Sequence, residues 1–267
     1  MGNKKTTRLL AIILLVVSAC SFSMGMLLQY NIINFNSDNN QDNKEQKDNE
    51  TVKVEEELDL KDGIIEKLLT VIKGKNNLSS HKYLPQYMDS FFYKINEETS
   101  VDKIANDDLL KLVWLNLKDT SDKTDVEGGF TVSVDTFKKK YESIFGPNLV
   151  FSKDTTSTSA DACLKVNYNT ANDNYEFYDT CTSDSNIEVI PKVVRAVKSN
   201  KELKIYEQVA FYSDNILYGD IDLRKEITKE YDESKFEQYG KSLNTYIYTF
   251  NVGDNGNYYF SKIDIEK

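Results

Sequence analysis

"163-CLKVNYNTANDNYEFYDTC-181" sets two short runs of alternating aromatic and polar residues on either side of a string of turn formers. That pattern predicts an antiparallel β-hairpin. It also marks where the texture of the chain changes, just past Pro147. Downstream, "EVIPKVVRAVKSNKELKIYEQVAFYS" (188–213) reads as a second hairpin. "NTYIYTFNVGDNGNYYFSKIDIE" (244–266) reads as a third, turning at Asp254-Asn255-Gly256-Asn257. Between them "DESKFEQYGKSLN" (232–244) is a short helix or turn.

Upstream of Pro147 the period is helical. In "LDLKDGIIEKLLTVIKG" (58–74), Leu60, Ile64, Ile65, Leu68, Leu69 and Ile72 fall on one helical face, and Gly74 suits the end. "NDDLLKLVWLNL" (106–117) is acidic in its first turn and apolar afterwards. "SVDTFKKKYESIFGP" (133–147) has Ser133 as N-cap, Gly146-Pro147 as stop, and a stripe of Val134, Phe137, Tyr141, Ile144 and Phe145. "KDTSDKTDVEGGF" (118–130) reads as a loop, with "FTVSV" (130–134) as a short strand after it. Helices followed by an antiparallel sheet of hairpins is the α+β class. The expected domain runs over 60–267, helical over 60–147 and β-rich over 148–267.

The first 59 residues are of another kind. Leu9 to Leu28 carries no charge, follows Lys4, Lys5 and Arg8, and leads to Tyr30. As a helix it spans about 30 Å, the thickness of a bilayer's hydrocarbon core. The expectation is a cytoplasmic basic start (1–8), a single-pass signal-anchor through the membrane (9–30), and a C-terminus outside the cytoplasm. The competing reading is a lipoprotein cut after Ala19 and anchored by lipid on Cys20. Phe22, Met24, Met26, Leu27 and Leu28 argue against it, because a polar tether normally follows a lipidated cysteine. Residues 31–59 then form an acidic, disordered tether. Positions 38–60 hold nine acids against three lysines and little that could be buried.

These features resemble singly anchored extracytoplasmic proteins of low-GC Gram-positive-type bacteria. The matching features are the basic start and apolar span, the acidic tether, the "KYESIFG" helix end (140–146), the two-cysteine hairpin, and the final "YTF…GNYYF" strand pair. The resemblance implies location and general build, and carries no activity with it.

Cys163 and Cys181 bracket the first hairpin, and outside the cytoplasm a disulfide between them is the expectation. A loop of about 18 residues would contribute roughly 3 kcal/mol through the unfolded state. Metal binding by this pair is disfavoured, since His81 is the only histidine in 267 residues. The same scarcity leaves no base for a Ser-His or Cys-His device, and no phosphate-cradling glycine loop occurs. No catalytic residue, metal site or cofactor is therefore assigned. A net charge of −10 without a basic stripe makes nucleic acid an unsuitable partner.

The 17 tyrosines carry a sharper idea. Tyr246, Tyr248, Tyr258 and Phe260 alternate on predicted strands. They either fill the face between sheet and helices or form an outward aromatic platform for a partner protein or cell-wall polymer. The functional expectation is a non-catalytic binding or accessory domain at the cell surface. The alternatives are a wall-acting hydrolase using paired carboxylates, and a structural or sensory ectodomain. The latter would form a homodimer through small residues of its span, Ala19 with Ser23 and Ser21 with Gly25.

Overall fold

A computed structural model describes residues 55–75, 78, 80, 82–83, 92–152, 156, 164–180 and 186–266. The expected span over 9–30, the cut at Cys20, the disulfide between Cys163 and Cys181, and His81 lie outside the described residues. Among the described residues no helix is long and apolar enough to cross a membrane.

The elements in chain order are β1 (Glu56–Glu57), α1 (Gly63–Lys73), β2 (Lys82–Tyr83), β3 (Thr99–Ser100), α2 (Asn106–Leu117), β4 (Thr124–Val126), β5 (Gly129–Ser133) and α3 (Val134–Phe145). They continue with β6 (Leu164–Asn169), β7 (Asn174–Asp179), β8 (Glu188–Lys198), β9 (Glu202–Ser213), β10 (Ile216–Tyr218), β11 (Glu226–Thr228), α4 (Phe236–Tyr239), β12 (Asn244–Val252) and β13 (Tyr258–Glu266). The α+β class holds, but the strands form two antiparallel sheets rather than one. The larger runs β1-β8-β9-β12-β13-β3, with β2 beside β8 and with β10 and β11 extending from β9. The smaller runs β4-β5-β7-β6.

Two of the helices, α1 and α3, each run from a capping side chain to a glycine. Asp62 caps α1, its side chain accepting from the Ile64 N–H, and the Gly74 N–H closes the last turn onto Thr70 O. Leu60 therefore precedes the helix instead of belonging to its apolar stripe. Ser133 caps α3 by accepting from the Thr136 N–H. Gly146, at φ 83°, ends that helix in a conformation that favours glycine. Phe137, Tyr141, Ile144 and Phe145 are all buried, as the stripe predicts.

All three predicted hairpins form, within the described residues, as β6–β7, β8–β9 and β12–β13. Three further hairpins were not expected, one of them β10–β11. The stretch read as a loop over 118–130 contains β4, which pairs with β5 and brings both into the small sheet beside β7. Asp214 and Asn215, both at positive φ, make the two-residue turn from β9 into β10. The tether boundary at residue 59 also moves. Glu56 and Glu57 pair with Lys198 and Val197, and the Leu58 N–H donates to Ala196 O.

One continuous apolar core joins α1, α2 and α3 to the inner faces of both sheets. A second, smaller cluster of Ile190, Ala210, Leu217, Phe236 and Leu243 involves β8, β9 and β10 with α4.

Candidate functional site

Among the described residues the outer edge of β8 is covered only at its two ends. β1 pairs with its C-terminal end and β2 with its N-terminal end. Between those two partners Pro191 offers no N–H, and the register shifts between Val193 and Arg195. A proline and a bulge on a free edge close it to an added strand. What the bulge does is turn Val194 outward, leaving it 37% exposed. Leu60, in the turn before α1, is 44% exposed. These are two of the four large apolar side chains exposed among the described residues.

Two hollows meet at Leu60 and Val193. The first, of about 470 Å³, has Ile65 and Leu69 of α1 and Leu78 as apolar walls, with Asp62, Glu66 and Lys75 around them. The second, of about 350 Å³, is lined by Val194, Phe236, Gln208, Lys192, Glu237 and Lys241. Its walls are held in place by polar contacts. Lys192 Nζ donates to Glu237 Oε1 at 2.8 Å and lies 5.5 Å from the Phe236 ring centre. Gln208 Nε2 donates to Gly240 O at 3.3 Å. The result is a groove over the sheet edge with an aliphatic floor and charges of both signs on its rim. Such a lining suits apolar side chains flanked by charged ones. Among the described residues no group of three or more His, Cys, Asp or Glu is placed to hold a metal ion.

A second centre lies inside the core. Leu203, Ile205, Val209 and Phe211 point inward from β9, and Glu207 occupies an inward position in the same series. The pairing of Glu207 with Tyr246 across to β12 fixes that face. Glu207 meets Lys73 from the last residue of α1 as an ion pair whose side chains are 3% and 0% exposed. Tyr248 donates its hydroxyl to the same carboxylate oxygen, Oε2, at 3.1 Å. The rings of Tyr248 and Tyr93 have their centres 5.2 and 5.6 Å from Lys73 Nζ. Tyr246 donates to Tyr93 O at 3.2 Å. Burial holds the Lys73 ammonium below the ordinary lysine range, against the opposing pull of the Glu207 charge. Burial first, and Glu207 second, push the phenols of Tyr93 and Tyr248 well up.

This centre went unread in the sequence, although a signal existed. A glutamate at the inward position of "LKIYEQVAF" (203–211) breaks an otherwise apolar alternation. A lone lysine closing the α1 stripe is its complement in charge.

The predicted aromatic platform is corrected by burial. Tyr246, Tyr248 and Phe260 are 0%, 0% and 1% exposed, all within the main core. Their register opposite Glu207, Ile205 and Phe250 turns them to the face packed by the helices. Only Tyr258 is half-buried, with Lys198 Nζ 5.8 Å from its ring centre. Asp125 of β4 is exposed and paired with Lys123. No family model, no curated protein and no solved structure matches this chain.

Proposed function

We propose that the chain is a non-catalytic binding or accessory domain, held outside the cytoplasm by the apolar segment 9–30, which takes an amphipathic polypeptide segment of a partner into the groove over β8. The observation that carries this reading is the meeting of exposed Leu60 and Val194 in one groove, at an edge closed to strand addition. Contiguous exposed apolar surface with a polar rim is the usual mark of a protein contact. The lining favours a polypeptide over a wall glycan, because it sets aliphatic side chains among charges of both signs and its one ring, Phe236, is itself buried. An anchor through lipid on Cys20 would leave the groove reading unchanged.

The test is site-specific photo-cross-linking of the full-length protein in its native membrane. A photoreactive residue at Val194 should join one polypeptide in stoichiometric yield, and Leu60→Asp should abolish that product. The same probe at Asn167, on the outward side of the small sheet, is the control. Equal labelling from both positions, or labelling at 194 indifferent to Leu60→Asp, would refute the groove as the docking site.

A further inference from the structure

We propose that Lys73 and Glu207 become joined by an intramolecular amide bond, a self-made cross-link between the end of α1 and the middle of β9. This inference is independent of the groove reading. The two side chains are in direct contact, both out of water, with the Tyr248 hydroxyl on the carboxylate and the Tyr248 and Tyr93 ring centres 5.2 and 5.6 Å from the amine. A buried ion pair is poor evidence of a stability role, since apolar replacements often serve as well. What the arrangement does supply is a nucleophile and an acyl carbon held together in a dry cavity, where proximity alone removes much of the barrier to a bimolecular step.

The step balances within the pair. An ammonium and a carboxylate lose one water and become a neutral amide. One proton passes from Lys73 Nζ to the carboxylate, and the freed electron pair attacks Glu207 Cδ. Oε2 then leaves as water, taking a second proton from the nitrogen. Neither an oxidant nor a cofactor is required, and no charge is left behind in the core. The hydroxyl of Tyr248 donates to Oε2, the departing oxygen, so its place matches the leaving group. The directions of the ionisations agree. Burial lowers the lysine toward the neutral amine that attacks, while burial and the Glu207 charge keep the Tyr248 phenol protonated. The product would be shielded from hydrolysis by the burial that favours its formation. It would tie together positions 134 residues apart.

Peptide mapping of the full-length protein tests this directly. After denaturation and tryptic digestion, the cross-link predicts no cleavage after Lys73. It also predicts that "LLTVIKGK" (68–75) is attached to "IYEQVAFYSDNILYGDIDLR" (205–224), lighter than the two peptides together by one water. The Lys73→Arg protein should lack this product and yield the 205–224 peptide free. Recovery of both wild-type peptides unlinked, with cleavage after Lys73, overturns the proposal. Because the readout is a covalent mass in the wild-type chain, it holds even where a variant folds poorly.

Discussion

Phe137 is the residue whose removal should report most clearly on how the fold is held together. It lies on the inner face of α3 and is fully buried. Its ring stacks on Tyr175 of β7 at 3.9 Å between centres, with Phe151 at 5.4 Å, Phe177 at 6.0 Å and Tyr141 at 6.4 Å. Phe137→Ala removes the ring and leaves a cavity walled by four other rings that cannot collapse without moving the small sheet. A phenylalanine-to-alanine change in a core costs about 3–5 kcal/mol. Each lost ring pair adds about 0.5–1.5 kcal/mol beyond area, which places this site at the upper end. For a chain of this size 1 kcal/mol shifts the midpoint by about 2–4 °C, so a fall of about 8–20 °C is expected. The assay is urea and thermal unfolding of the purified protein, followed by circular dichroism and by fluorescence of Trp114, the single tryptophan, which is buried in α2. Because one core joins α3, α2 and both sheets, both probes should shift together. A loss below about 1.5 kcal/mol would refute the packing argument on its own magnitudes. A dichroism change with an unmoved Trp114 transition would show that α3 and the small sheet open as a unit apart from the rest.

Smaller perturbations have equally definite expectations. Ser133→Ala deletes the cap that accepts from the Thr136 N–H at 3.2 Å and should cost about 1 kcal/mol, restored by Ser133→Asp, in the same urea titration. Asn116→Ala removes a side chain that donates to Val71 O at 2.7 Å and Leu112 O at 2.8 Å. It should cost about 1 kcal/mol and raise hydrogen exchange in the last turn of α1 more than in α3. Alkaline titration should show Tyr93, Tyr231, Tyr246 and Tyr248 ionising late, Tyr231 at about 12, with burial the first cause in each. The folded state then holds more protons than the unfolded one above the ordinary tyrosine value of about 10. Their stability contribution is therefore complete below that pH and lost as pH rises through the raised values, so unfolding should accompany their ionisation. Ultraviolet titration showing all 17 tyrosines ionising together while the fold persists would contradict this.

Local structure was legible wherever one residue's chemistry decides it. Ser133 and Gly146 bounded α3 because a cap hydroxyl and a positive φ are properties of single positions. The three hairpins were legible because alternation and turn formers are neighbours in sequence. Which strands then meet was not. The hairpin of β8 and β9 joins that of β12 and β13 through β9 and β12, whereas β6 and β7 join β4 and β5. Those choices depend on long-range packing, and period-2 alternation describes two faces without naming either one's partner. The same ambiguity allowed Tyr246, Tyr248 and Phe260 to be read as a platform when they fill the core. The groove was hidden for a related reason. Leu60 and Ile65, Val194, and Phe236 come from three distant segments, and the bulge that exposes Val194 has no signature in "PKVVRAV" (191–197).

The groove and the buried pair have α1 in common, and that shared helix constrains what the groove can do. Ile65 and Leu69 form its wall, yet each is nearly buried and belongs to the main core with Leu68 and Ile72. At its far end the helix is fixed twice, by Lys73 against Glu207 and by Asn116 against Val71 O. Its position therefore cannot shift without opening apolar contacts and breaking the link between Lys73 and Glu207, whether ion pair or amide, each at a cost of several kcal/mol or more. A wall held in this way presents a largely preformed surface, and little ordering of the domain itself opposes association. For the proposed partner segment, the ordering entropy of binding would then fall mainly on that segment itself. Affinity in such a groove depends on how few rotatable bonds that segment must fix to set apolar side chains on Leu60, Val193 and Val194. A short, preorganised amphipathic element meets that requirement better than a long flexible one.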